Sequence, residues 1–202
     1  MLRQLLSRPA LEVAPDLLGW TLSHTTEDGT VTVVLTEVEA YLGEDDPASH
    51  AYRGPTPRNQ VMFGEAGHLY TYLSYGMHWC CNVVTGPVGQ ASAVLLRAGR
   101  VVEGVELARA RRGGRVPDRA LARGPGCLAQ ALGLRRDHNG ADLVDGPDVQ
   151  LRPGVRVPAS AIARGPRVGV SVAYEEPWRF WIAGEASVSA YKRSPRAGKC
   201  LR

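Results

Sequence analysis

The stretch TVTVVLTEVEAYL, residues 30–42, constrains the fold most. It alternates β-branched and apolar residues early and then sets two carboxylates, Glu37 and Glu39, among them, a pattern that reads as a β-strand. With a period of two, Glu37, Glu39 and Tyr41 project from one face. A strand face with two carboxylates is either open to solvent or part of a site, and the pattern leaves both readings open.

Other segments fall around this strand. Residues 44–59, EDDPASHAYRGPTPRN, are rich in Pro, Gly, Asp and Ser and read as a loop. HLYTYLS (68–74), MHWCCNVVT (77–85) and ASAVLLRA (91–98) read as strands, with Tyr75-Gly76 at a hairpin turn between the first two. VVEGVELARARR (101–112) is helical by residue type, and GPGCLAQALGL (124–134) opens a second helix with a proline near its first turn. RVGVSVAY (167–174) and RFWIAG (179–184) read as two late strands. This mixed order predicts an α+β fold: one domain over 1–202 around a curved, mostly antiparallel sheet with flanking helices, and 193–202 as a loose C-terminal tail.

Composition narrows the chemistry. At 44% hydrophobic and 22% charged, the 202 residues can bury a core. No run approaches the ~18 apolar residues of a membrane span, and the first 19 residues are broken by Pro9 and carry Glu12 and Asp16, unlike a signal peptide. No membrane association and a soluble, cytoplasmic monomer are therefore expected. The cysteines at 80, 81, 127 and 200 have no metal-ligand spacing, so they read as reduced thiols. No metal is expected, and catalysis would fall to ordinary side chains.

Charge is uneven along the chain. Residues 1–50 carry two arginines against nine acids, a net of −7, whereas 51–202 carry 22 bases against 11 acids, a net of +11. A basic body fits a polyanionic partner, since arginine forks match phosphate oxygens. ARARRGGRVPDRALARG (108–124) has six arginines and one acid. Its glycines and proline suggest a mobile loop, either touching phosphate or simply solvated. Tyr75, a large ring beside Gly76 at a hairpin tip, has little to pack on within its own domain. A protruding ring of this kind can wedge between base steps.

The run TEVEAYLGEDDPASHAYRGPTPRNQVMFGEAGHLYTYLSYGMHWCCNVV resembles the alkyladenine (3-methyladenine) DNA glycosylases, and the resemblance continues through SAVLLRAGRVVEG, RGPGCLAQALGL, RVGVSVAYEEPWRFWIAG and SVSAYK. It implies a compact single domain with a protruding β-hairpin, and hydrolysis of the N-glycosidic bond of alkylated or deaminated purines in duplex DNA without a cofactor. By the same resemblance, Glu39 holds and deprotonates the water, while Arg97 and the backbone carbonyl of Val168 contact it. Tyr41 stacks on one face of the extruded base, and His50 and Tyr72 lie on the other. Asn82 opposes guanine's exocyclic amine. Tyr75 enters the minor groove, with Gly76 and Met77 of the same tip in the DNA-contacting set; Arg58 and Asn59 of TPRN either bind phosphate or cap the loop. Family members often carry lysine where this chain has Cys127.

Two rivals belong to other classes. A non-catalytic nucleic-acid-binding module would use the tyrosines and basic loops and leave Glu39 idle. A glycosidase of free nucleosides would need neither the Tyr75 wedge nor the arginine excess, and salt would not affect it.

Overall fold

A computed structural model describes residues 1–198; Cys200 and the end of the expected tail, 199–202, lie outside the described residues. The chain opens with helices α1 (Leu2–Leu6) and α2 (Ala10–Asp16), followed by strands β1 (Thr21–Thr26) and β2 (Gly29–Tyr41). After a long loop come β3 (Leu69–Ser74), β4 (His78–Val84) and β5 (Ala93–Glu103), then helix α3 (Val105–Arg111), the short β6 (Ala122–Arg123) and helix α4 (Pro125–Leu132). Strands β7 (Val149–Arg152), β8 (Ile162–Gly165) and β9 (Arg179–Ile182) complete the described strands, and short 3-10 turns lie in the loops between elements. The nine strands form one sheet in the order β3-β4-β5-β2-β1-β7, with β6 added to β5 and the β8–β9 pair added to β2. All pairings among the described residues are antiparallel. The α+β class and the antiparallel sheet expected from the sequence are those observed.

Strand β2 organises the sheet. One edge pairs with β5; the other pairs with β1 over residues 29–34 and with β9 over 37–39. The change of partner coincides with two irregularities. Leu35 faces Gly99 and Glu37 faces Ala98, which leaves Thr36 extra on β2; Val38 then faces Leu96, which leaves Arg97 extra on β5. Bulges of this kind bend a strand and re-aim its side chains. Beyond them both faces of β2 are covered, and Thr36 to Ala40 are all buried.

The main core lies on one face of the sheet, where Val13 and Ala14 of α2 and Leu128 and Leu132 of α4 pack on Val33, Leu35, Val38 and Leu96. Helix α4 starts at Pro125, as its proline predicts, and stops at Gly133 in left-handed conformation (φ 75°). A smaller cluster around Met62, Tyr70 and Val84 lies beneath the loop that follows β2.

Three expectations need correction. Residues 101–103 are not helical: Val101 and Glu103 pair with β2, and Gly104 (φ 67°) sits so close to Thr30 that the helix begins only at Val105. Residues 167–174 are not a strand, because Gly169 (φ 74°) and Ala173 (φ 45°) break the extension and the Val168 N–H bonds a side chain rather than a neighbouring strand. The arginine-rich segment is not simply a loop free to touch phosphate. Arg109 bonds the Val116 carbonyl and Asp118, Arg111 bonds the Leu132 carbonyl, and Arg112 bonds the Leu121 carbonyl, Gln130 and the Cys127 sulfur. These three tie α3 to α4 and to the segment between them. In the tail, Arg193 lies over the Tyr174 ring at 4.9 Å. Helices α1 and α2 and strands β1, β7 and β8 are not legible in the sequence pattern.

Gly43, which carries the chain from β2 into the loop, has φ 65°, and a Cβ there would stand 2.0 Å from the Ala91 carbonyl oxygen. Gly140 has φ 87° but open space around it. Thermal melts should show Gly43→Ala losing roughly 2–10 °C in Tm and more than Gly140→Ala. Equal losses would mean that the close approach to Ala91 adds nothing.

Candidate active site

A cavity of about 650 Å³ opens between the 44–63 loop, the β3–β4 hairpin, strand β5 and the irregular segment 168–172. Tyr41, His50, Tyr72, Asn82, Arg97 and Val168 all line it. Glu39 lies behind this lining with no exposed surface. Its Oε1 accepts the Val168 N–H at 2.7 Å and its Oε2 accepts the Tyr41 hydroxyl at 3.0 Å. Arg97 Nη1 is 3.4 Å from Oε2. The carboxylate is thus joined to three groups that line the cavity.

The second carboxylate is bound differently. Glu37 accepts Arg97 Nε at 2.8 Å, Arg179 Nε at 2.7 Å, the Ser189 N–H at 2.7 Å and the Ser189 hydroxyl at 2.9 Å. Burial alone would push its pKa up, but Arg97, Arg179 and the Ser189 N–H together hold it below the usual carboxylate range. Arg97 is itself desolvated, yet Glu39 and Glu37 raise its pKa above the ordinary value, so it stays charged. Glu37 therefore holds the guanidinium that reaches Glu39. The bulge at Arg97 places this side chain beside both acids.

The cavity walls are aromatic. His50 meets Tyr72 edge-on at 4.4 Å, and Tyr70 stacks on Tyr72 at 5.8 Å. His50 Nδ1 lies 3.1 Å from the Tyr70 hydroxyl. The ring is solvent-accessible at the rim, but the protein packed around it, and then Arg58, push its pKa down and favour the neutral form near pH 7. Burial, reinforced by Glu39, raises the Tyr41 phenol well above its ordinary pKa, so it donates as a neutral hydroxyl. Asn82 donates Nδ2–H to the Tyr70 carbonyl at 3.0 Å. At the hairpin tip Tyr75 and Met77 are exposed at 86% and 71%, too open to belong to the core. Tyr75 and Gly76 both have positive φ, 49° and 68°. For an aromatic residue that conformation costs about 1–2 kcal/mol.

A family model described as "Methylpurine-DNA glycosylase (MPG)" matches residues 4–186. The chain belongs to that family. A protein of Streptomyces avermitilis is 52% identical over 198 residues, covering 96% of this chain and 93% of its own. Proteins of Leifsonia xyli subsp. xyli (53%; 92% and 90% covered) and Frankia casuarinae (54%; 94% and 91% covered) are equally similar. All three carry the name "Putative 3-methyladenine DNA glycosylase".

Against the methylpurine-DNA glycosylase resemblance, the structure brings Glu39, Tyr41, His50, Tyr72, Asn82, Arg97 and Val168 around one cavity, with Tyr75, Gly76 and Met77 on the adjoining tip. Arg58 also lines the cavity, 5.9 Å from the Tyr72 centroid. Asn59 does not face outward. It is buried, donates to the His50 and Gly54 carbonyls and accepts the Thr56 N–H, so the loop-capping reading describes it and the DNA-contacting one does not. Sequence reasoning missed four residues: Glu37 as an anchor for Arg97, Arg179, and the buried pair Arg167–Asp46. The available signal was arginine inside apolar runs, as in RFWI and RVGV, where a buried charge requires a partner. Among the described residues no helix is long and apolar enough to cross a membrane, and no three His, Cys, Asp or Glu side chains group as metal ligands.

The lowered pKa of Glu37 has a definite sign. Its stabilisation is present above the unfolded carboxyl pKa and is lost as pH falls through the lower folded value. Chemical denaturation of Glu37→Gln should show a loss of about 3–5 kcal/mol at pH 7, and a shallower decline of stability than the parent below about pH 4.5. Parallel acid profiles for the two proteins would remove Glu37 from the linkage.

Proposed function

We propose that this chain is a monofunctional DNA glycosylase that extrudes damaged purines from duplex DNA and hydrolyses the N-glycosidic bond, leaving an abasic site. The reading rests on one observation above all: a buried carboxylate, reached through an aromatic-lined cavity, in a chain matching the methylpurine-DNA glycosylase family over residues 4–186. The relatives' names speak of 3-methyladenine.

Extrusion costs a few kcal/mol, less for a damaged or mispaired base. Tyr75, exposed and strained at the tip, fills the gap left in the stack. The purine slides between Tyr41 and the His50/Tyr72 wall, where each ring contact contributes roughly 1–3 kcal/mol. Asn82 screens the base edge. As the bond from C1′ to the base nitrogen breaks, its electron pair leaves with the base and positive charge grows on the sugar. The Glu39 carboxylate stabilises that charge and takes a proton from the attacking water, whose oxygen bonds to C1′. Arg97 and the Val168 carbonyl hold the water, while the Val168 N–H and Tyr41 hydroxyl fix the carboxylate. A cationic alkylated purine leaves as a neutral base; a neutral lesion such as hypoxanthine takes a proton as it departs.

Incubation with single-lesion duplexes followed by hot alkali tests the reading, since abasic sites then yield strand breaks. Without alkali no breaks are expected, because among the described residues the cavity lining holds no lysine to form an imine. Glu39→Gln should lower single-turnover excision by about 100-fold or more while lesion duplex is still bound in a gel-shift assay. Near-normal turnover in that variant would remove Glu39 from catalysis, and absence of alkali-labile sites with the parent protein would favour the binding-module rival.

Tyr75→Ala should slow excision from a well-paired duplex more than from a mismatch, where less unstacking is needed. Equal slowing on both substrates would contradict the wedge. Duplex affinity should also fall steeply as salt is raised.

A further inference from the structure

Tyr41 is fixed from two directions. Its hydroxyl donates to Glu39, and its ring lies against the Arg167 guanidinium, whose Cζ is 4.5 Å from the ring centroid. Tyr41 lines the cavity and Arg167 does not, so the cation occupies the face turned away from the cavity. Trp178 covers the guanidinium at 4.8 Å, completing a Tyr41–Arg167–Trp178 stack. Arg167 cannot leave this position easily. Its side chain and that of Asp46 have no exposed surface, and both Nη atoms donate to Asp46, one at 2.9 Å. Nη1 also reaches the Ala40 carbonyl at 3.1 Å, and Nε has no partner among the described residues. A buried ion pair of this kind is costly relative to apolar packing, and simple support of a ring does not call for a charge.

The chemical consequence concerns the other face of the ring. A cation is held over an aromatic face by π density. Two cations on opposite faces of one ring draw on the same density and repel each other. A neutral purine on the cavity face meets no such competition. We propose that Arg167 sets the charge preference of the slot: by occupying the far face of Tyr41 it disfavours cationic purine lesions relative to neutral ones, with Asp46 moderating the effect. Arg167 is thus a positioning and specificity-determining residue acting through Tyr41. The inference rests on the glycosylase reading of the same cavity.

The test compares single-turnover excision of 7-methylguanine, a cationic lesion, with that of hypoxanthine, a neutral one, from otherwise identical duplexes. The intrinsic difference in bond lability cancels when the cationic-to-neutral ratio of each variant is divided by that of the parent. Arg167→Gln removes the charge and should raise the ratio about threefold or more. Asp46→Asn leaves the guanidinium without its counter-charge and should lower the ratio. A purely structural role would slow both lesions together and leave the ratio fixed in both variants, which would overturn the proposal. If circular dichroism shows that Arg167→Gln does not fold, the near-isosteric Asp46→Asn decides alone: a fall in the ratio supports the proposal, and an unchanged or higher ratio overturns it. Failure of the parent to release either base would instead defeat the glycosylase reading itself.

Discussion

The burial of Glu37 and Glu39 on one strand is the constraint on which the rest of the structure depends. Each buried carboxylate forfeits several kcal/mol of hydration, which only well-placed charge and hydrogen bonds offset. Arg97 from β5 and Arg179 from β9 supply the charge, and Ser189 supplies two donors to Glu37. The need to bring these partners together accounts for the departure of β2 from regular pairing. Bulges at Thr36 and Arg97 turn the side chains toward one another, and β9 takes over from β1 along the strand's second edge.

The two acids end in different states of engagement, and that difference separates support from chemistry. Glu37 is filled by two guanidiniums and a serine and serves as an anchor. Glu39 holds a backbone N–H, a phenol and the far end of Arg97, beside a cavity large enough for a purine. A second buried pair, Arg167–Asp46, joins three separate pieces of the cavity wall: Tyr41, the loop that carries His50, and the segment at Val168. Neutral His50 and the raised phenol of Tyr41 keep these two stacking groups uncharged.

What was legible in the sequence follows from the range of the interactions involved. Alternation in TVTVVLTEVEAYL, the Tyr-Gly turn after HLYTYLS and the proline at the start of GPGCLAQALGL are local signals, and the corresponding elements formed where expected. VVEGVELARARR misled because its first three residues continue β5 along β2, a pairing with residues some 70 positions earlier in the chain. RVGVSVAY misled because its backbone is engaged by Glu39 instead of a neighbouring strand. The arginines of residues 108–124 look like a phosphate-binding loop, yet Arg109 and Arg111 at the end of α3 and Arg112 just after it bond carbonyls and side chains of the protein itself. Guanidiniums seek carbonyl oxygens as readily as phosphates, and composition does not distinguish the two.

The sequence alone determined the family, the antiparallel α+β plan and the identity of the groups around the cavity, because long motifs and period-two patterning are carried by neighbours along the chain. Tertiary structure alone decided that both acids are buried, that Glu37 anchors Arg97, that Asn59 faces inward, and that a cation stands behind Tyr41. Except for Asn59, which is held by its own loop, those outcomes depend on charges brought together across as many as 142 positions. Desolvation and Coulomb energy act through space, so an arginine within an apolar run marks a buried charge but not the partner it finds.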